Sequence, residues 1–426
     1  MIGESLLRPA LRAMAVSLFR VAGVRGAVTF ANVALFALLG IAFGADAVGH
    51  YATYLAFVMI SGSLMAAGLP QMLMRRAAIS ANRDSYFVAR LRSAFWLGWL
   101  MAATVGTLIA APAFIWLNSV TGLDAPALAV AGPAAYASVM MVMEELRGRG
   151  RPEAALLREH APTIIVPFAA VAASTMVALP ETKLIDLLVY VHLAAATFVS
   201  VLHLKLNGLR GGPSAALRLL SKVPASQLLQ MGLMRFLAAS AGYMAILLVS
   251  INGDAALAGL ITVILKLTGL ASTLSAVVNS VYAARFGAAY RNLKQLRVLT
   301  VQTATLNGAG VVALLAPMII APSLFLEMFS VGRTVTGAET ALQIVAGTVL
   351  LRGFAGTPDL LFLVTGKAWI EVAALIGSLC VLGALVLSLP APSAAGIAGA
   401  IAASQIVRLI LSAAGIVFVL RGPACT

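Results

Sequence analysis

Six lysine and arginine side chains lie within long apolar stretches of the sequence, and one acidic side chain lies well inside such a stretch. Each charge at the centre of a bilayer costs roughly 2.5–3.5 kcal/mol on insertion scales, so such residues generally face a cavity or a partner. Six of the seven are basic, and a guanidinium can bind two oxygens of an anionic diphosphate at once. The residues are Arg20, Arg25, Arg235, Lys266, Arg352 and Arg408, with Asp359 as the one acid well inside a predicted span. They predict a cationic cavity for an anionic substrate.

Two of these basic residues lie on polar stripes of their predicted helices. Arg25 shares a helical face with Thr29 and Asn32, four and seven residues further on, a pattern that suits a cavity better than lipid. Lys266 lies near the middle of its predicted helix, and we expect it to face the cavity. It shares a stripe with Thr262, Thr273 and Ser280.

The remaining basic residues have alternative roles. Arg20 and Arg235 lie within about two turns of a helix end, so either could extend to the headgroups instead of lining the cavity. Arg408 has no polar stripe of its own, which favours a structural role. Arg352 lies deep, one turn after Thr348, and favours the cavity.

Asp359 shares a helical face with Arg352 but lies about 10 Å further along the axis, by the rise per residue. Gly353, Gly356 and Pro358 lie in this region and are expected to bend the helix.

Two roles are open for Asp359. It is either a protonatable or cation-coupling site, or a counter-ion for Arg352 or Lys367.

The composition predicts the elements that must position these residues. The 426-residue chain is 61% hydrophobic and only 10% charged, which is too little polar surface to cover a soluble globule. Apolar runs long enough to span a bilayer predict an all-α polytopic membrane protein of about 12 transmembrane helices. The predicted spans are 13–44, 51–74, 93–117, 127–143, 162–179, 185–204, 228–251, 255–283, 299–322, 340–365, 369–389 and 396–420.

The distribution of charge orients these spans. With both termini in the cytoplasm, cytoplasmic ends and loops hold 21 of the 29 basic residues, against Lys183 and Arg333 on the other side. The net charge of +14 is therefore topological, and nucleic acid is not an expected partner. Glu144 and Glu145, next to several arginines, are expected at a solvated loop.

The chain predicts two six-helix lobes around the cavity, 1–207 and 228–426, joined by a cytoplasmic loop at 208–227. Outer turns at 44–49 and 253–259, 209 residues apart, suggest an internal repeat of the kind found in transporters.

The sequence favours a transporter over an enzyme. Four scattered histidines have neither metal-ligand spacing nor a nucleophile partner, and no phosphate-binding loop of the ATPase type occurs. We therefore expect no catalytic residue, metal or cofactor.

Motifs in both halves resemble lipid-linked oligosaccharide flippases of the multidrug/oligosaccharidyl-lipid/polysaccharide exporter superfamily, in the O-antigen and exopolysaccharide branch. The first half has an acidic glycine turn followed by Gly-x-Tyr, then Gly-Leu before a basic helix end. The second half has Glu-Met-Phe, a Leu-x-x-Gly-Lys turn and a Gly-Ile-x-Gly-Ala helix start. These motifs occupy 43–51, 67–76, 327–329, 363–367 and 395–400.

The resemblance implies a two-lobed bundle that carries a polyprenyl-diphosphate-linked oligosaccharide from the inner to the outer leaflet of the cell inner membrane by alternating access. Its expected partners are membrane lipids and a polysaccharide polymerase with chain-length machinery. A small-molecule drug exporter of the same superfamily is an alternative, although export of organic cations requires an acidic cavity. A membrane-embedded glycosyl- or acyltransferase is a less favoured alternative, since the outer loops are short and sparsely acidic.

Overall fold

The elements of the protein are helices, as the composition predicts. The computed structural model describes residues 2–79, 92–100, 131–177, 179–207, 225–289, 292–330 and 335–421, with isolated positions between 103 and 115. Every regular element of these residues is helical. Eight of their helices are long and apolar enough to cross a membrane, or nine if one bent pair counts as a single span. The prediction of an all-helical polytopic membrane protein is confirmed.

The helices are numbered in chain order. Those of the first half are α1 Ile2–Met65, α2 Leu69–Ile79, α3 92–100, α4 Gly132–Gly148, α5 Pro152–His160, α6 Val166–Val177 and α7 Glu181–Asn207. Those of the second half are α8 Ala225–Ile251, α9 Ala255–Ala288, α10 Leu293–Ile320, α11 Pro322–Glu327, α12 Ala338–Gly353, α13 Pro358–Val364, α14 Trp369–Ser388 and α15 Ala394–Arg421. A π-helical turn, Ala161–Ile165, joins α5 to α6.

α1 contains the first predicted span and most of the second. It is 64 residues long, and its one non-helical residue is Gly44, with φ 89° and ψ −179°. Because glycine has no Cβ, it adopts this conformation without strain and alone makes the break. The predicted six-residue turn over 44–49 is therefore wrong in length, since the helix resumes at Ala45.

The second predicted turn, over 253–259, is also wrong in length, since α9 begins at Ala255. Gly253 has φ 79°, and the side chain of Asp254 accepts a hydrogen bond from the backbone N–H of Leu257 at 2.8 Å. An aspartate in this position caps the first turn of a helix, so α9 begins directly after it.

The remaining predicted spans differ in how closely their bounds agree with the helices of the structure. Six of the seven spans after residue 180 coincide with single helices to within six residues. The described part of the span 127–143 lies in α4, which has Pro133 in its first turn and continues to Gly148. Of the span 93–117, the structure describes 93–100 within α3 and eight further helical positions between 103 and 115.

The span 340–365 is divided into α12 and α13, with a 40° bend between them. Gly353 ends α12, Gly356 has φ 71° in the connection, and Pro358 begins α13. The predicted bend between Arg352 and Asp359 is confirmed.

The chain packs as two compact units. We call Ala34–Thr262 the first unit, and Met1–Val33 together with Val263–Thr426 the second unit. Leu73, Phe95 and Met141 lie in a core cluster of the first unit, and Phe286 and Phe362 in one of the second. The predicted inter-lobe loop 208–227 lies outside the described residues except for its last three, which begin α8. The division into two six-helix lobes stays a prediction.

The segments that predict an internal repeat contact each other within the first unit. A Cβ on Gly49 would lie 1.9 Å from the backbone oxygen of Ala255, and one on Gly259 would lie 2.3 Å from that of Ala45. Glycine at both positions therefore allows the backbones of α1 and α9 to touch, as small residues do between membrane helices.

Candidate functional site

The break between α12 and α13 is bordered by polar side chains of α9 and α10, all in the second unit. Nδ2 of Asn307 donates to the backbone oxygen of Gly353 at 3.2 Å, and the Ser275 hydroxyl donates to Oδ1 of Asn307 at 2.8 Å. The Thr357 hydroxyl donates to that of Thr303 at 3.3 Å. Backbone groups freed within a membrane must find such partners, so these side chains stabilise the interrupted helix.

Two arginines near this break have different kinds of partner. Nη1 of Arg352 donates to the amide oxygen of Gln405 at 3.0 Å. Nε of Arg408, one turn after Gln405 on α15, donates to Oε1 of Glu371 at 3.1 Å, and its Nη2 contacts the same oxygen. Among the described residues, no carboxylate oxygen lies within 4 Å of the Arg352 guanidinium. Arg408 is thus paired with an acid, whereas Arg352 has a neutral partner.

Asp359 lies in the first turn of α13, on the other side of the break. Its Oδ2 accepts a hydrogen bond from Nδ2 of Asn279 on α9 at 3.1 Å. The charges of Glu371 and Arg408 act on it from α14 and α15. Its direct partner is therefore an amide rather than Arg352 or Lys367, while its charge also acts on Arg352, so both alternatives for its role stay predictions.

The polar stripes that contain Arg25 and Lys266 meet in the second unit. The hydroxyls of Thr29 and Thr273 lie 3.1 Å apart, and Thr29 also donates to the backbone oxygen of Arg25 at 2.8 Å. Arg25 and Lys266 are both partly buried. The side chain of Ser280, the last member of the second stripe, lies outside what the structure describes. The contact joins the helices that carry two of the predicted substrate-binding residues.

Arg235 and Arg20 differ from the other predicted residues. Arg235 belongs to the first unit, where its Nη1 donates to Oε1 of Glu144 at 3.0 Å. Oε1 of Glu144 also accepts from Arg147 at 3.1 Å. Arg20, in the second unit, is exposed. An ion pair within its own unit thus neutralises Arg235, and the exposure of Arg20 agrees with the headgroup alternative.

The predicted solvated position of Glu144 and Glu145 is wrong, since the two residues are only 3% and 1% exposed. Oε1 of Glu145 accepts from Nε of Arg92 at 2.7 Å and contacts Arg149. Its Oε2 lies 3.0 Å from Nε2 of His203 on α7. The reason is that α4 continues to Gly148, which places both acids on a helix packed between its neighbours rather than in a loop.

Sequence reasoning missed Glu371 and Glu144 as counter-ions for partly buried arginines. Glu371 lies three residues into a predicted span and Glu144 one residue past another, where an acid is usually thought to reach water. Their partners, Arg408 and Arg235, are 37 and 91 residues away along the chain. An acid near the end of a span is a weak signal, and only the packing of the helices identifies its partner.

No family model and no curated protein matches the sequence, but solved structures match over most of the chain. Lipid II flippase MurJ, in an inward closed conformation, has a TM-score of 0.69 at 10% identity over 93% of this chain and 87% of its own. The MATE multidrug transporter DinF-BH has 0.64 at 13% identity over 95% and 94%. A MOP superfamily transporter from Pyrococcus furiosus Vc1 has 0.58 at 15% identity over 95% and 96%. At these identities the likeness shows that the chain has the fold of these transporters.

Proposed function

We propose that the protein is a transporter that flips a polyprenyl-diphosphate-linked oligosaccharide from the inner to the outer leaflet of the cell inner membrane. Transport proceeds by alternating access and supplies glycan for surface polysaccharide, of the O-antigen or exopolysaccharide kind. Both termini lie in the cytoplasm, and a polysaccharide polymerase with its chain-length machinery receives the product. No reaction is catalysed on the substrate.

The environment of Arg352 carries this proposal. Its guanidinium is held by the neutral amide of Gln405, beside an interrupted membrane helix, while neighbouring Arg408 is paired with Glu371. A cation without an ionic partner is unfavourable in a membrane segment unless an anionic ligand completes the site. A diphosphate fits, because its oxygens match the planar donors of a guanidinium.

The other basic residues extend this positive charge. Arg25 and Lys266 belong to the same unit as Arg352, on the two helices joined by the Thr29–Thr273 contact. Arg235 and Arg20 contribute less in this proposal, because Arg235 is paired with Glu144 and Arg20 is exposed.

The fold comparison supports a transporter whose cargo is set by side chains rather than by architecture. The same fold occurs in a protein described as a lipid II flippase and in one described as a multidrug transporter. For the Pyrococcus furiosus transporter, a reversed polarity of the binding pocket is said to suggest a different function. A fold that tolerates such differences is compatible with a cationic site here.

A small-molecule exporter is the second candidate, favoured by the fold shared with multidrug transporters. Exporters of organic cations need acidic binding sites. In this chain Glu144 and Glu371 are occupied by Arg235 and Arg408. The surplus of positive charge favours the lipid-linked anion.

Energy for transport comes in this proposal from an ion gradient or from the membrane potential, and Asp359 is the coupling candidate. Its carboxylate lies one residue into α13, at an interrupted helix, where transporters often place ion sites. The amide of Asn279 holds it in position.

The test is complementation of a flippase-deficient strain. We expect Arg25→Ala, Lys266→Ala and Arg352→Ala each to abolish delivery of glycan to the cell surface, because each removes a charge that binds the diphosphate. Arg421→Ala, at the exposed end of α15, is the matched control and should complement fully. Immunoblots of membrane fractions must show equal insertion. Normal complementation by all three variants would refute the cationic site.

A further inference from the structure

We propose that Glu371 is an internal counter-ion that competes with the anionic substrate for Arg352 and thereby promotes release of the substrate. The proposal assigns a role to a carboxylate that binds no cargo itself. It rests on the proposed function, because it requires that Arg352 binds a diphosphate.

Only one carboxylate oxygen of Glu371 is used in its contacts with the described residues. Oε1 takes both contacts from Arg408, whereas Oε2 is buried and accepts no hydrogen bond from them. The residue as a whole is 6% exposed. A buried carboxylate oxygen without a donor is unfavourable, so Oε2 favours any donor that can reach it.

Arg352 is such a donor, because its own hydrogen-bond partner is neutral. It lies at the end of α12 and donates to Gln405, while the negative charge of Glu371 already acts on it from α14. Gln405 and Arg408 are three residues apart on α15, so the acceptor of Arg352 and the side chain that binds Glu371 lie on the same face of one helix. Movement of Arg352 from Gln405 to Oε2 of Glu371 would exchange a neutral acceptor for a charged one.

This exchange determines whether an anion can bind. While Arg352 lies on Gln405, its charge is available to a diphosphate. When it pairs with Glu371, the carboxylate neutralises that charge and the anion loses its partner. The negative charge of Asp359 on α13 also acts on Arg352, but Oδ2 of Asp359 accepts a hydrogen bond from Asn279. The other charged group in this region, Lys367, lies in the turn between α13 and α14. Glu371 is therefore the carboxylate whose second oxygen, Oε2, is buried and accepts no hydrogen bond from the described residues.

The experiment measures binding of farnesyl diphosphate to the full-length protein in detergent by isothermal titration calorimetry. We expect Glu371→Gln to bind this probe about tenfold more tightly than the wild type, because one competing negative charge is removed. We expect Arg352→Ala to bind it at least about tenfold more weakly, and Glu371→Gln to give no gain in that background.

Two further variants separate Arg352 from Arg408, which loses its partner when Glu371 is changed. Glu371→Gln with Arg408→Gln removes both charges and should keep the gain, since Arg352 carries it. Gln405→Met removes the neutral acceptor, so it should weaken binding when Glu371 is present and have no effect in the Glu371→Gln background.

The outcomes distinguish the two proposals. If Arg352→Ala binds the probe as tightly as the wild type, the proposed function fails at its central residue. If Arg352→Ala binds weakly but folded Glu371→Gln shows no gain, or the gain disappears with Arg408→Gln, the counter-ion role is contradicted. Should Glu371→Gln not fold, Glu371→Asp keeps the charge but shortens its reach. It should still bind the probe more tightly than the wild type, and no gain there also contradicts the role.

Discussion

At the scale of single residues, buried carboxylates determine what the arginines of this protein can do. Arg235 and Arg408 are paired with Glu144 and Glu371, whereas the neutral Gln405 binds Arg352. Ion pairs in a low dielectric are sensitive to the loss of one partner, because the remaining charge stays buried. The acids of this chain are thus expected to matter for stability, and Arg352 for binding.

The cluster around Glu145 gives the sharpest stability prediction. We expect Glu145→Gln to lower the free energy of unfolding by about 3–5 kcal/mol, because Arg92 and Arg149 lose their buried counter-ion. The measurement is the unfolding temperature of the purified protein in detergent. Glu153→Gln, in the partly exposed first turn of α5, is the control and should change it little. Equal unfolding temperatures for the two variants would disprove the role of the cluster.

A second residue-scale prediction concerns Asp359. We expect Asp359→Asn to remove the dependence of transport on an ion gradient, since an amide cannot gain or lose a proton or neutralise a cation. Binding of farnesyl diphosphate should be retained. Substrate translocation in proteoliposomes with and without an imposed gradient measures the effect. Glu339→Gln, at the exposed start of α12, should respond as the wild type does. A gradient response retained by Asp359→Asn would exclude this residue from coupling.

At the scale of elements, the α12–α13 break and the contact between α1 and α9 position the polar residues. At the break, the backbone oxygen of Gly353 accepts hydrogen bonds from the backbone N–H of Gly356 and from the side chain of Asn307. The contact depends on Gly49 and Gly259, each against the backbone of the opposite helix. Both features depend on one specific contact, a hydrogen bond at the break and a close backbone approach at the glycines, so a single substitution can disrupt each of them.

The α1–α9 contact can be tested with a matched pair of glycines in the first unit. We expect Gly49→Val to reduce the yield of folded protein strongly, because its Cβ would overlap the backbone oxygen of Ala255. Gly242→Ala on α8 has open space around it and should fold normally. Fluorescence-detected size-exclusion chromatography compares the two. A normal profile for Gly49→Val would show that the helices can separate here without penalty.

Much of this architecture could be predicted from the sequence, and the limits have physical causes. Hydrophobic length located most of the helices after residue 180, and Gly353, Gly356 and Pro358 predicted the bend. Hydrophobic length also predicted a six-residue turn over 44–49, because it could not show that Gly44 alone is enough to interrupt the helix. It also left Glu144 and Glu145 in solvent, since burial depends on how far α4 continues.

The sequence predicted the charged residues of the candidate site but not the side chains to which they are hydrogen-bonded. Charges in apolar runs identified Arg352 and Asp359, because their energetic penalty is visible in the sequence. The partners of Arg352 and Asp359, Gln405 and Asn279, are 53 and 80 residues away. Such distances along the chain carry no periodic signal, so only the tertiary structure assigns the partners.

At the scale of the whole molecule, the fold and the charge balance lead to one account. The chain has the fold of MATE transporters and of the MurJ flippase, and it carries a formal net charge of +14. Most of that charge lies in predicted cytoplasmic loops, where it orients a membrane protein. The smaller share within the helices, with Arg352 at its centre, is the part that we assign to the diphosphate of a lipid-linked glycan.

Translocation by the reconstituted protein tests this account most directly. Proteoliposomes carrying a polyprenyl-diphosphate-linked oligosaccharide on one leaflet are treated with a reagent that modifies the sugar only on the opposite side. The account predicts rapid modification with the wild type and with Arg421→Ala, and a rate with Arg352→Ala no higher than in protein-free liposomes. Equal translocation by Arg352→Ala and the wild type, at equal amounts of inserted protein, would contradict it.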